Sequence, residues 1–173
     1  MARYRRRRSF FKRRSGRWSA NIQEIEDNAT LNAIINGSSV DLCLNPIQNN
    51  ITVSQQYTVK NIELSVYLEA TNNSQYVEDV QHYIMYVPQG MNLTTDYPKE
   101  HPEYIMAYYY QGNPFSDTTT DTRLKIRSRM ARRLQTGDKI IYFWKATNDY
   151  ENPSVQPVNV KVKGLVRWWT KSN

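Results

Sequence analysis

The chain has 173 residues, with 23 Lys and Arg against 16 Asp and Glu, a formal charge of +7. That length suits one core-bearing domain with a tail, and no run approaches the ~20 apolar residues of a membrane helix. Cys43 is the sole cysteine, and His82 and His101 are the only histidines. A disulfide framework, a zinc cluster and most metalloenzyme sites are therefore excluded.

The charge is segregated. Residues 1–18 hold nine bases and no acid: Arg3, Arg5, Arg6, Arg7, Arg8, Lys12, Arg13, Arg14 and Arg17. The remaining 14 bases meet all 16 acids, so residues 19–173 net −2. A +9 arm precedes a nearly neutral body. Like charges at this density repel and bury nothing, so the arm is expected to be disordered until it meets a polyanion. Ser9-Phe10-Phe11 is too short for the apolar stretch of a secretory signal. Contiguous Arg5 to Arg8 argue against an amphipathic transit helix. Nucleic-acid binding fits best, and a nuclear localisation signal is compatible with it. Tyr4, Phe10, Phe11 and Trp18 interleave the charges and can stack on unpaired bases. Alternatively, Trp18 anchors the arm to the body.

Across the whole chain, 13 tyrosines and 4 tryptophans, with many Asn, Thr and Val, favour strands and polar turns. Ser19 to Glu26 and Leu31 to Ile35 are weak strand candidates, followed by a turn at Asn36-Gly37-Ser38. Val40, Leu42 and Leu44 alternate with Ser39, Asp41 and Cys43, which places Cys43 on the polar face; Asn45-Pro46 then turns the chain. Ile62, Leu64, Val66 and Leu68 make a clear half-buried strand. Val80 to Val87 is a weaker one, containing His82, and Pro88-Gln89-Gly90 closes it. A short helix is expected near Pro102, with Glu103 at its positive end. Met106 to Tyr110 precedes the turn Gln111-Gly112-Asn113-Pro114.

Thr122 to Met130 is the next candidate. Gly137-Asp138 turns into Ile140 to Trp144, which is apolar on both faces and reads as a central strand. After Asn152-Pro153, Val158, Val160, Val162, Val166 and Trp168 share a phase, with Gly164 filling the gap and Asn159, Lys161, Lys163 and Arg167 opposite. About nine candidates suit eight or nine strands in a two-sheet sandwich or a closed barrel. Five Asn-x-Ser/Thr sequons, at Asn28, Asn36, Asn50, Asn72 and Asn92, are expected to reflect composition rather than glycosylation.

A second basic cluster lies within the body. Arg123, Lys125, Arg127 and Arg129 alternate with Leu124, Ile126, Ser128 and Met130, and Arg132 and Arg133 follow. As a strand, the segment shows cations on one face and a mainly apolar row on the other. It can meet phosphates, discourage unwanted edge pairing, or face an acidic neighbour across a subunit contact, with Asp117 and Asp121 as partners.

The sequence offers no catalytic constellation. His101 and Glu103 lie in a loop, His82 reads as a satisfied strand histidine, and Cys43 has no nearby base. Asp117 and Asp121 read as a polar loop rather than a calcium site. Neither a cofactor nor a metal is implied. A cellular RNA-binding protein of ribosomal type, with a basic extension, is the rival reading. Such proteins usually spread positive charge over the body, which this chain does not. A cupin-like enzyme would need more metal ligands than two distant histidines supply.

Three runs carry a resemblance. Tyr86-Val87-Pro88-Gln89-Gly90, His101 to Tyr108, and Arg127 to Ile140 with its Leu-x-x-Gly-Asp-x-Ile core resemble stretches in capsid proteins of small circular Rep-encoding single-stranded DNA viruses. This circovirus-like group has shells similar to those of satellite plant viruses. The arm, opening Met-Ala-Arg-Tyr-Arg-Arg-Arg-Arg, matches in character only. The resemblance implies an all-β fold: a single eight-stranded antiparallel jelly roll over residues 19–173, with a basic arm at 1–18. It further implies self-assembly into an icosahedral T=1 shell of sixty copies and packaging of single-stranded DNA. Arg3 through Arg17 would lie inside the shell and engage the host nuclear import machinery, so the protein would occupy the virion and, during assembly, the host nucleus. It carries over no catalytic residue. Compared with circoviruses proper the chain is short, which implies that long surface loops are absent.

Overall fold

The computed structural model describes residues 18–32, 35–43, 56–70, 77–115, 123–148 and 157–172. In chain order the strands are β1 (Ser19–Leu31), β2 (Ile35–Leu42), β3 (Tyr57–Ala70), β4 (Val77–Val87), β5 (Ile105–Gly112), β6 (Leu124–Ser128), β7 (Arg132–Leu134), β8 (Lys139–Asn148) and β9 (Val158–Ser172). Between β4 and β5 lie one helical turn, α1 (Tyr97–Glu100), and a 3-10 turn at Pro102–Tyr104.

All pairings are antiparallel and fall into two sheets, ordered β1-β9-β3-β6 and β2-β8-β4-β5. β6 pairs with Ile62 to Val66 of β3, and β7 with Tyr57 to Val59. They are two halves of one edge strand, broken at residues 129–131. Eight strand positions remain, and their order across the two sheets is that of a jelly roll.

Period-two patterning explains most of this. Ile62, Leu64, Val66 and Leu68 of β3 are buried, as are Val158, Val160, Val162, Val166 and Trp168 of β9. They meet Tyr142 and Trp144 of β8 in the core between the sheets. Gly164 keeps the β9 phase opposite Ile25 and Val66. A Cβ there would lie 2.5 Å from the Ser65 carbonyl oxygen, so only glycine lets the strands approach this closely. Ile140 to Trp144 is apolar on both faces because β8 serves two cores. Ile140, Tyr142 and Trp144 face the other sheet, while Ile141 and Phe143 pack with Tyr83, Met85, Val87 and Tyr97 under α1.

Four local expectations are corrected. Leu31 and Ile35 belong to different strands: Leu31 ends β1, Ile35 opens β2, and between them the Asn32 amide donates to Asn36 Oδ1 at 3.1 Å, while residues 33–34 lie outside the described residues. Asn36-Gly37-Ser38 is not a turn but part of β2. Gly37 is small because the Phe143 ring would sit 3.0 Å from a Cβ there. Cys43 is buried rather than on a polar face: its φ of 56° ends the alternation, so Leu42 and Cys43 both enter the core. The α-helical turn lies at Tyr97–Glu100, with Pro98 in its first turn, and Pro102 opens only the 3-10 turn. Leu44, Asn45-Pro46, Asn50, Asn72 and Asn152-Pro153 lie outside the described residues.

Candidate functional site

Arg3, Arg5, Arg6, Arg7, Arg8, Lys12, Arg13, Arg14 and Arg17 also lie outside the described residues, as do Asp117 and Asp121. The arm joins the body at Trp18, immediately before β1. There Lys60 Nζ stands 3.8 Å over the indole ring, a cation–π contact that holds Trp18 to β3. The anchor reading of Trp18 is thus the one its surroundings favour. Trp169 of β9 pairs with Ala20 one step along β1, and the Arg167 guanidinium lies 4.9 Å from its ring. β1 therefore begins beside a cluster of two tryptophans and two cations.

The second basic cluster occupies the edge formed by β6 and β7. Leu124, Ile126 and Ser128 are buried, whereas Arg123, Lys125, Arg127 and Arg129 are exposed, so the alternation sets the two faces as expected. Met130 departs from the apolar row: it lies past the end of β6, in the break before β7, and is exposed. Arg127 Nε reaches Glu63 Oε1 at 3.9 Å across the β3–β6 pair, a solvent-exposed contact of small energy. A cleft of about 250 Å³ lies among Asn61, Glu63, Arg127, Arg129 and Trp169. It opens where a bulge between Lys60 and Glu63 puts Asn61 at φ 50°.

Arg133 continues the exposed row, but Arg132 does not. Arg132 is half-buried, donates from Nη2 to the Glu103 carbonyl at 2.8 Å, and lies 5.2 Å from the Tyr86 ring. It braces the β4–β5 connection, leaving five cations of the six available to solvent.

The histidines are differently engaged. His82 is buried, with Nδ1 2.8 Å from the Tyr142 hydroxyl and Nε2 3.1 Å from Gln111 Oε1. These contacts suit a neutral ring that donates from Nε2 and accepts at Nδ1. Burial lowers its pKa to about 4, while the Gln111 hydrogen bond opposes the shift. His101 Nδ1 lies 3.3 Å from Glu103 Oε1 at the surface. Burial pushes the Cys43 thiol far above its ordinary pKa, the opposite of what a nucleophile needs. Among the described residues no group of His, Cys, Asp and Glu is placed to hold a metal. No described helix is long and apolar enough to cross a membrane.

One surface escaped the sequence reading. Tyr108, Tyr109 and Tyr110 of the edge strand β5 are all exposed. Three consecutive tyrosines show no period-two signal, although the run itself marks an edge with aromatic side chains on both faces.

No protein-family model matches the sequence, and no curated protein matches it. Several solved structures align with it at low identity. Turnip yellow mosaic virus aligns at TM-score 0.44 and 10% identity, covering 92% of this chain and 95% of that one. The 60-mer capsid protein of BFDV aligns at TM-score 0.40 and 10% identity, over 92% and 95%. Desmodium yellow mottle tymovirus aligns at 0.36 and 8%, over 90% of each. The jelly roll itself is established by the strand order.

Proposed function

We propose that this protein is a viral capsid subunit that assembles into a closed icosahedral shell of about sixty copies and packages a single-stranded genome through its arm. The observation that carries the reading is the union of two parts. A nearly neutral jelly roll with open sheet edges can contact copies of itself, while nine cations joined to it at Trp18 can condense a polyanion. Sixty arms would supply about 540 positive charges, enough to neutralise part of a genome of order one to two thousand nucleotides. The T=1 arrangement of sixty copies follows the family resemblance.

Arginines read phosphates and not sugars, so the choice of DNA follows the family resemblance alone. Nuclear accumulation during assembly belongs to the same reading, with the arm as import signal. The test is sedimentation and electron microscopy of the purified protein, followed by nuclease digestion of the extracted cargo. Uniform particles of about 1.2 MDa, sixty chains of 20.4 kDa, with DNase-sensitive cargo are expected. A monomer under all assembly conditions, or T=3-sized particles, would count against the shell; RNase-sensitive cargo would count against DNA.

A further inference from the structure

β1 and β6 are the two edges of one sheet, and they carry opposite charge. β1 contains Glu24, Glu26 and Asp27 and no base. Residues 123–133, spanning β6 and β7, contain six bases and no acid. The register shows that the opposed charges share a face. Glu24 lies opposite Leu165, Leu165 opposite Ser65, and Ser65 opposite Lys125. The adjacent row runs Ile22, Arg167, Glu63, Arg127. Each row crosses all four strands on the outward side of the sheet.

Spacing prevents these edges from neutralising one another within a chain. Four strands at about 4.8 Å put the two ends of a row about 14 Å apart. At physiological salt the screening length is about 8 Å, so attraction over that span is largely lost. Glu24, Glu26 and Lys125 are exposed and form no ion pair among the described residues. Apolar surface accompanies the charge on both sides. Ile22, beside Glu24 on β1, is 64% exposed, and Met130, past the end of β6, is 45% exposed. Among the described residues, both edges also present backbone groups with no strand beyond them in the sheet.

We infer that the β1 edge of one copy docks against the β6 edge of the next, with Glu24 and Glu26 facing Lys125 and Arg127. The occupant is a second copy of this chain because one molecule supplies both halves of the match. Orientation agrees as well. Successive antiparallel pairings make β6 antiparallel to β1, so a copy displaced along the sheet presents its β6 in the sense that every other neighbour in the sheet has. Pairs two residues apart on each strand can then stand opposite each other on one face. The contact is head-to-tail, and it closes into a ring when each step includes a rotation. The inference rests on the capsid reading above and specifies which surfaces meet.

The test is a charge exchange, read by sedimentation and electron microscopy at fixed salt. Lys125→Glu with Arg127→Glu, and separately Glu24→Lys with Glu26→Lys, should each raise the concentration needed for assembly about tenfold or abolish it. Combining all four should restore assembly. Lys125→Gln with Arg127→Gln gives a milder arm of the same test, and circular dichroism establishes that each variant is folded. Wild-type assembly by either single-side reversal, or failure of the folded four-site variant to recover, would overturn the contact. Normal particles lacking nucleic acid from the Lys125→Glu, Arg127→Glu protein would assign the row to phosphate instead. If the wild-type protein never assembles, the capsid reading itself fails, and this contact with it.

Discussion

The Tyr86 hydroxyl donates to Asp138 Oδ2 at 2.9 Å, joining the end of β4 to the turn between β7 and β8. The same buried carboxylate accepts the Gln89 amide at 3.2 Å and the Gln135 amide at 2.9 Å. Three donors, one from the end of β4 and two from the flanking turns, thus converge on one side chain. Gly137 completes the arrangement, with φ 89° and a Cβ position only 2.6 Å from the Gln89 side chain. The Leu-x-x-Gly-Asp-x-Ile run is therefore a structural device: Leu134 and Ile140 are buried, glycine makes the turn, and aspartate ties it to Pro88-Gln89-Gly90.

Asp138→Ala should accordingly cost about 2 kcal/mol, since it leaves two amides and one hydroxyl without their acceptor at a partly buried junction of two turns. Asp138→Asn keeps the shape and part of the acceptor capacity, so it should cost less. Chemical denaturation of both variants measures the difference. Equal loss in the two would mean that turn geometry, rather than hydrogen bonding, dominates.

His82 makes stability depend on acid. Its folded pKa lies near 4 because burial opposes the charged ring, while the unfolded value is 6.5. Above pH 6.5 neither state binds the proton, and the neutral ring contributes in full. As pH falls from 6.5 to about 4 the unfolded chain protonates first, so stability falls. The total is about 3 kcal/mol at 1.36 kcal/mol per unit, and the slope ends below pH 4. His82→Gln should flatten this part of the stability–pH curve. Measured unfolding energies that stay parallel for variant and wild type between pH 4 and 6.5 would refute the assignment.

How much of this was legible in the sequence depends on which force sets each element. Strands with one buried face were readable, because Ile62 to Leu68 and Val158 to Trp168 follow the pleat. The central place of Ile140 to Trp144 was also readable from its two apolar faces. Tertiary packing defeated the local signal elsewhere. Asn36-Gly37-Ser38 has turn chemistry, yet Gly37 is needed beneath the Phe143 ring. Cys43 breaks its alternation through one left-handed residue, which no periodicity reveals. Arg132 shares the composition of its neighbours but turns inward to the Glu103 carbonyl, because it occupies the inward phase of Leu124, Ile126 and Leu134. The opposed edge charges needed the strand order, because β1 and β6 are about a hundred residues apart in sequence.

The two faces of β6 should respond oppositely to substitution. Leu124 is buried at 7% exposure and packs in the core, so Leu124→Asp places an unpaired carboxylate there and should prevent folding. Arg127→Ser removes only an exposed contact at 3.9 Å and should leave the melting transition nearly unchanged. Its effect should appear in assembly or in packaging. Soluble expression followed by thermal unfolding distinguishes the cases, and a folded, wild-type-like Leu124→Asp protein would contradict the placement of this strand.

Arm function is best measured by salt. Residues 1–18 can reach about 60 Å if extended, at about 3.3 Å per residue, so each arm can meet cargo far from its own anchor at Trp18. If five of its nine cations contact phosphate, log affinity for a single strand should fall with log salt at a slope of about −3.5. The slope should not depend on base sequence, because phosphate contacts carry none. Deleting residues 1–17 should remove most of that slope and yield empty or unassembled shells, while the folded body keeps its thermal stability. The same deletion should abolish nuclear accumulation if the arm is also the import signal. Wild-type cargo loading by the truncated protein would refute the packaging role and move attention to Arg123, Lys125, Arg127, Arg129 and Arg133, the cations that the β6–β7 edge leaves exposed.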